Sequence, residues 1–317
     1  MKSFLLATLI PALAISAIAQ QAERPPFSIK AAFVPKDKDA RPFVGAVVAS
    51  NATQIEYKTP IDSEESTVSL IRDFDLIFFM EPDEYVAAMD LYEAGKFEDA
   101  KAQFKKYKDQ TKAVANLPGN YHVLAAFYEL ECFRQLGQLK ELTEALATFP
   151  KAQLTRENQL RQLELYVLWD AVKAEAWERV LTVAAEREKQ KMPDSQLVQV
   201  FYCKAVALQK LNRLDEAAVA YDMVMTADAG SSVGLVTKAA LAKLDIYLKS
   251  PDVQEAIANW GTDQEKKGSV GYTKLLEAGA LTRLYSQYYA HIKELPTEYK
   301  KFLDYKTNLE DPADAPK

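Results

Sequence analysis

Two short amphipathic helical patterns joined by a tight turn recur along this chain, and they constrain its fold more than any other feature. The first copy is EYVAAMDLYEAGKFEDAKAQFKKYKDQ, with its turn at Gly95. A similar segment, FYCKAVALQKLNRLDEAAVAYDMVMTAD, has its turn at Asn212. A helical hairpin that recurs buries its apolar face against its neighbours, so the pattern predicts a mainly α-helical solenoid of antiparallel helix pairs. Solenoids usually bind other molecules rather than catalyse reactions.

Four turns can be aligned in this way. The turn residues Gly95, Gly137, Glu175 and Asn212 follow one another at spacings of 42, 38 and 37 residues. Each turn has a large residue two positions later and an apolar residue seven positions earlier. The large residues are Phe97, Leu139, Trp177 and Leu214, and the earlier residues are Ala88, Leu130, Leu168 and Ala205.

The first and fourth units resemble the tetratricopeptide repeat, a helix–turn–helix unit of about 34 residues. The residues that carry the resemblance are Ala88, Ala100 and Phe104 in the first unit and Ala205, Ala217 and Tyr221 in the fourth. In that family, small residues let the two helices approach and a large aromatic residue fills the gap to the next helix. The resemblance covers residues 81–229. In the second and third units Leu130, Leu142, Leu168 and Val180 replace small residues, which implies wider helix spacing and an irregular superhelix.

Short extended runs precede the helical region and predict a small antiparallel β meander of four or five strands within residues 20–80. The runs are rich in β-branched and aromatic residues and are bounded by turn residues. They lie at residues 43–49, 54–58, 67–71 and 75–80. We expect so small a sheet to pack on the first helices. It would do so through Leu76, Phe78 and Met80, or through the alternating residues on the other face of that strand.

Residues 230–306 show further helical patterns without the repeat signature, and we expect them to cap the solenoid. The predicted pairs are 234–249 with 253–260 and 272–295 with 297–305. Residues 307–317 contain two prolines and predict a frayed tail.

The N-terminal residues predict a secretory signal peptide over residues 1–19. Lys2 supplies a positive charge, an apolar run follows to Ala19, and Ala17-Ile18-Ala19 is a small-x-small cleavage pattern. The run is shorter than the roughly 20 residues of a membrane span and contains Pro11. We therefore expect an exported protein of the bacterial periplasm or cell envelope, with no stable membrane insertion. Together with the β segment and the first repeat, this leader also resembles exported bacterial repeat proteins.

The net charge argues against one class of partner, and the cysteine positions argue against a disulfide. The formal net charge of −6 and the lack of a basic stripe argue against nucleic-acid binding. Cys132 and Cys203 fall in first helices two repeats apart, too far for a disulfide, and are expected to be buried thiols.

No catalytic constellation emerges from the sequence. His122 and His291 are the only histidines and have no metal-ligand spacing, and no phosphate-binding glycine loop or nucleophile elbow occurs. We expect no cofactor, no metal and no enzymatic activity. An enzyme built from ordinary carboxylates remains the least favoured alternative.

A protein or peptide partner is the favoured expectation. In the tetratricopeptide family the first helix of each pair lines a concave groove, and Tyr, Trp and Arg are common in binding hot spots. The resemblance places these residues there: Tyr85, Met89, Tyr92, Phe127, Glu131, Arg134, Leu165, Trp169, Lys173, Tyr202, Gln209 and Lys210. The alternative is that these aromatic residues form the core between adjacent repeats. A second alternative is a structural, self-assembling envelope component, suggested by Tyr285, Tyr288 and Tyr289 in one helix.

Overall fold

The computed structural model describes residues 28–306 except residues 229 and 231. These residues are mainly helical, with one five-stranded antiparallel sheet at their N-terminal end. The strands are β1 (Ile29–Pro35), β2 (Phe43–Ser50), β3 (Gln54–Lys58), β4 (Thr67–Leu70) and β5 (Phe74–Phe79). The first eight helices are α1 (Asp83–Glu93), α2 (Phe97–Gln110), α3 (Tyr121–Leu136), α4 (Leu139–Ala147), α5 (Glu157–Lys173), α6 (Trp177–Arg187), α7 (Asp194–Lys210) and α8 (Leu214–Ala227). They are followed by α9 (Val233–Lys249), α10 (Pro251–Asn259), α11 (Val270–Tyr288) and α12 (Thr297–Lys300).

Two compact units divide the chain between Leu163 and Glu164, within α5. This boundary lies inside the stretch of residues 81–229 that the sequence predicts to be repeats. The predicted signal peptide, residues 1–19, and the predicted tail, residues 307–317, lie outside the described residues.

The sheet has the strand order β4-β3-β2-β1-β5. The first four strands form a meander, whereas β5, which the sequence predicts to continue it from β4, does not. β5 crosses to the opposite edge and pairs with β1, with Phe33 opposite Ile77 and Ala31 opposite Phe79. β1 is the strand that the sequence runs did not single out. Because each has one neighbour, β4 and β5 are the two edges of the sheet.

One face of the sheet carries an aromatic core. Phe33 of β1 stacks on Phe43 with ring centroids 5.0 Å apart and packs against Tyr57 at 4.7 Å. Val114 and Leu117, from the connection between α2 and α3, complete this core. The connection, rather than α1 and α2 as expected, therefore covers the sheet.

The two faces of β5 have different environments. Phe79 is buried in the core and Ile77 packs against it, whereas Leu76 and Phe78 remain 53% and 60% exposed on the opposite face. Of the two faces considered from the sequence, the one that packs is therefore that of the alternating residues.

The four aligned turns share one backbone geometry. Gly95, Gly137, Glu175 and Asn212 all have left-handed φ angles, of 72°, 74°, 52° and 61°. After each turn residue, the next N–H donates to a carbonyl five residues earlier, as from Lys96 to Leu91 at 2.9 Å. This bond is that of a Schellman motif, which ends a helix through a left-handed residue.

The residues aligned around these turns are buried. Ala88, Leu130, Leu168 and Ala205 are at most 1% exposed. The connection between α9 and α10 does not repeat this turn, since Ser250, which follows the last residue of α9, is extended and α10 begins with a proline. The predicted helix over residues 272–295 is too long, because α11 ends at Tyr288.

Candidate functional site

The side chains expected on a concave face are mostly buried. Tyr85, Phe127, Glu131, Arg134, Leu165 and Trp169 are each less than 10% exposed. Met89, Tyr92, Tyr202 and Gln209 are half-buried, and only Lys173 and Lys210 are exposed. Side chains with so little accessible surface pack helices together and offer little area to a ligand. The environment of the aromatic residues is that of the alternative interpretation, a core between helices.

Tyr128 of α3 is the centre of the aromatic packing in the first compact unit, the one that ends at Leu163. Its ring lies 5.2 Å from that of Tyr92, 5.6 Å from Phe104 and 6.4 Å from Tyr85. Burial raises the pKa of Tyr85 and Tyr92 well above the usual tyrosine range. The sequence alignment did not select Tyr128, although α3 has a nearly continuous apolar run, which is typical of a helix buried on most of its surface.

Polar members of the expected face are satisfied by neighbours. Arg134 donates to both oxygens of Glu131, with an Nη2–Oε2 distance of 2.7 Å. In the second compact unit, which begins at Glu164, Trp169 Nε1 donates to Gln199 Oε1 at 3.0 Å, and the Trp169 ring stacks on Tyr202. The first pair lies within α3 and the second joins α5 to α7. Breaking either pair would leave an unsatisfied buried polar atom, so these groups are committed to the packed interior.

An open groove of about 560 Å³ in the first unit is the better candidate site. One wall is formed by consecutive residues of the edge strand β5. The other wall is formed by residues 117–121, 123 and 124, around the start of α3, and by residues 153–156 before α5. Its volume is in the range of ligand pockets, about 300–1,000 Å³. Its lining is mainly apolar, and includes the exposed Leu76 and Phe78.

Local bonds fix the second wall. Asn120 caps α3, since its Oδ1 accepts a bond from the Val123 N–H at 3.0 Å. The preceding Gly119 adopts a left-handed φ of 70°, and its N–H donates to the Gln153 carbonyl at 3.0 Å. The two connecting segments of this wall are therefore tied to each other, and Tyr121 and Leu124 of α3 line the groove beside them.

Two charged residues line the groove. Asp75 lies in β5 and Arg156 in the opposite wall, and neither forms an ion pair with another described residue. Burial raises the pKa of Tyr121, and the positive charge of Arg156 opposes this shift. The guanidinium is therefore within electrostatic range of the groove wall and is available to an anionic group.

The other groups with potential chemistry are isolated. His122 is buried at the start of α3, and burial lowers its pKa to about 4. Cys132 and Cys203 are both buried thiols, as expected, and no disulfide links them. Across residues 28–306, with 229 and 231 left aside, no group of three or more His, Cys, Asp or Glu side chains is placed to hold a metal ion.

Comparisons with known proteins add no assignment. No protein-family model matches the chain, and no curated protein matches it. Within the part of the chain that the structure describes, none of the helices combines the length and apolar character needed to cross a membrane.

The groove could not be read from the alignment of repeats, because β5 is not part of any repeat. One signal was present in the sequence. The run Leu76-Ile77-Phe78-Phe79 is apolar on both faces of the strand, whereas a strand with one solvated face alternates between apolar and polar residues.

Proposed function

We propose that this chain is a non-catalytic scaffold that binds a protein or peptide in the groove beside β5. The observation that carries the proposal is the open apolar groove, which leaves Leu76 and Phe78 more than half exposed beside a second, firmly tied wall. Exposed apolar surface of this kind is characteristic of interaction sites. The signal-peptide pattern supports a location in the bacterial periplasm or cell envelope.

The proposal includes a tetratricopeptide-like solenoid as the framework. The common geometry of the turns at Gly95, Gly137, Glu175 and Asn212 supports it. The burial of the small residues Ala100 and Ala217 at the helix approach also supports it. In this proposal the helices supply a rigid support, and the ligand is held by the edge strand and the connections rather than by the buried aromatic residues.

Site-specific photo-crosslinking in the native envelope tests the proposal. A photoreactive phenylalanine analogue replaces Phe78 in the groove, and the matched control carries it at the exposed Thr182 of α6. We expect a discrete adduct from position 78 that is absent at position 182 and disappears when Leu76→Lys is added. Adducts that are the same at both positions, or that survive Leu76→Lys, would exclude the groove as the binding site.

Self-association is a second candidate function, favoured by a different surface. Leu284, Tyr288 and Ile292 are each at least half exposed near the end of α11. Tyr285 of the predicted tyrosine cluster is buried, and its hydroxyl donates to the Lys293 carbonyl at 2.9 Å. Light scattering after size exclusion distinguishes this function. A dimer that Tyr288→Lys converts to a monomer would support it, and a monomer at all concentrations would exclude it.

A further inference from the structure

The backbone of β5 presents an unpaired edge to the groove. The Met80 N–H donates to the Lys30 carbonyl at 2.9 Å, which fixes which groups face β1. In an antiparallel pair the groups alternate, so the backbones of Leu76 and Phe78 also face β1, and those of Ile77 and Phe79 face away. No other described residue forms a backbone hydrogen bond with the outward groups of these two residues.

This edge lacks most features that normally prevent pairing with another strand. Protected edges are very short, carry lysine or proline, or are covered by another segment. β5 has six residues, and Asp75 is its one charged residue. At about 3.3 Å per residue, the edge offers roughly 20 Å of strand, enough for a peptide of about six residues.

The two walls of the groove determine which side chains an added strand could carry. Side chains of an added strand would alternate, so that half would lie beside the exposed Leu76 and Phe78. The other half would face Tyr121 and Leu124 of the opposite wall. Both sets of neighbours are largely apolar, so a nearly continuous apolar segment fits better than an alternating one. Arg156 supplies a positive charge in the same wall, to which a carboxylate is complementary.

We infer that the groove binds an extended apolar peptide segment that adds as a further strand to β5 and carries an acidic residue that pairs with Arg156. The inference rests on the proposed function and specifies its partner. Backbone hydrogen bonds provide the binding energy that is independent of sequence, and the apolar walls and the guanidinium select the side chains.

The test uses the mature protein and two synthetic peptides labelled with fluorescein on a hydrophilic linker. The first peptide is Glu-Val-Ile-Val-Thr-Val-Ile-Glu-amide, with the linker and the dye attached to its N-terminal amine. It presents a carboxylate at Arg156 in either strand direction. The second has glutamine in place of both glutamates. Fluorescence anisotropy gives the affinities. Loss of a charge-assisted hydrogen bond should weaken binding of the first peptide to Arg156→Gln by about tenfold, to the level of the second peptide. The matched control Arg179→Gln, at an exposed position of α6, should leave both affinities unchanged.

Amide hydrogen exchange shows whether the peptide adds as a strand. The amides of Ile77 and Phe79 should gain at least about tenfold protection when the first peptide is bound, because they acquire hydrogen bonds. The amides of Leu76 and Phe78 are bonded to β1 with or without peptide, so their exchange should not change.

Each other outcome has a distinct meaning. Saturable binding without alternating protection would overturn strand addition and leave the proposed function standing. Failure of both peptides to bind would overturn the inference, while the photo-crosslink from position 78 tests the function independently. Protection of Ile77 and Phe79 that rises with protein concentration in the absence of peptide would identify a second copy of the chain as the occupant and overturn the inference.

Discussion

Acidification between pH 6.5 and 4 should destabilise the first unit through His122. The imidazole is 7% exposed, and its Nδ1 lies 3.2 Å from Thr111 Oγ1. Burial is the largest cause that lowers its pKa to about 4, and the charge of Lys108 acts in the same direction. Lys112 lowers the pKa further, while a backbone hydrogen bond at Lys108 and the charge of Asp109 oppose the shift.

The sign and magnitude follow from proton linkage. In the unfolded chain a histidine takes up its proton near pH 6.5, whereas folded His122 does so only near pH 4. The unfolded state therefore binds more protons between these values, and the stability falls as the pH falls through that window. The shift from 6.5 to about 4 corresponds to about 3 kcal/mol of unfolding free energy, complete near pH 4.

Urea denaturation of the wild type and His122→Asn measures this contribution. Asparagine retains a donor at the position of Nδ1 and does not titrate, so carboxylate titrations cancel in the difference between the two proteins. We expect the wild type to lose about 3 kcal/mol more than the variant between pH 7 and pH 4. His291→Asn, at an exposed position, is the matched control and should follow the wild type.

Parallel stability curves for the wild type and His122→Asn would refute this reasoning. So would a direct NMR titration in which the His122 ring protonates near pH 6.5 in the folded protein. Either result would mean that the imidazole is solvated or that a neighbouring carboxylate stabilises its charged form.

Three further predictions concern the turns, a buried cation and the thiols. Because Glu175 is left-handed, Glu175→Gly should stabilise the protein by about 1 kcal/mol, whereas Gly137→Ala should destabilise it by about the same amount; thermal denaturation measures both. Lys243 is buried, with 6% of its surface exposed, and its Nζ atom lies 2.6 Å from Asp222 Oδ1. Asp222→Asn should therefore cost about 2 kcal/mol in urea denaturation, and Lys243→Met less than about 1 kcal/mol, because the carboxylate left behind is partly solvated. Burial raises the pKa of Cys132 to about 12, so DTNB should label this thiol only on unfolding.

Specific results would contradict each of these expectations. Destabilisation by Glu175→Gly would show that the side chain, rather than the backbone, determines that turn. A larger loss from Lys243→Met than from Asp222→Asn would show that the ion pair itself is strongly stabilising. Labelling of Cys132 faster than unfolding would show that the core of α3 opens locally.

The turn positions could be predicted because they depend on local chemistry. A single segment of sequence shows a turn residue followed by a large residue at a fixed distance. Gly95, Gly137 and Asn212 are residue types that favour the positive φ angle which the structure shows at these turns. Glu175 does not favour it, and only the repeat spacing identified it. Burial of the helix-approach positions followed from the same alignment.

The candidate site could not be predicted because it depends on non-local pairing. Nothing near β5 in the sequence indicates that it pairs with β1 rather than β4, yet this pairing determines which residues border the open edge of β5. Non-local packing is also the reason that the expected concave face is mostly buried. Tyr85 and Phe127 have the residue types of a binding surface, but neighbouring rings such as that of Tyr128 bury them.

The groove lies beside a connection that is longer than the proposed repeat framework requires. The first two turns are 42 residues apart, compared with about 34 in the tetratricopeptide repeat. The additional length falls in residues 111–120, between α2 and α3, which supply Val114 and Leu117 to the core of the sheet. The same connection supplies Gly119 and Asn120, which fix the second wall. Shortening this connection to match a repeat of about 34 residues should therefore remove the cover of the sheet and one wall of the groove together, while the helical turns on either side keep their geometry.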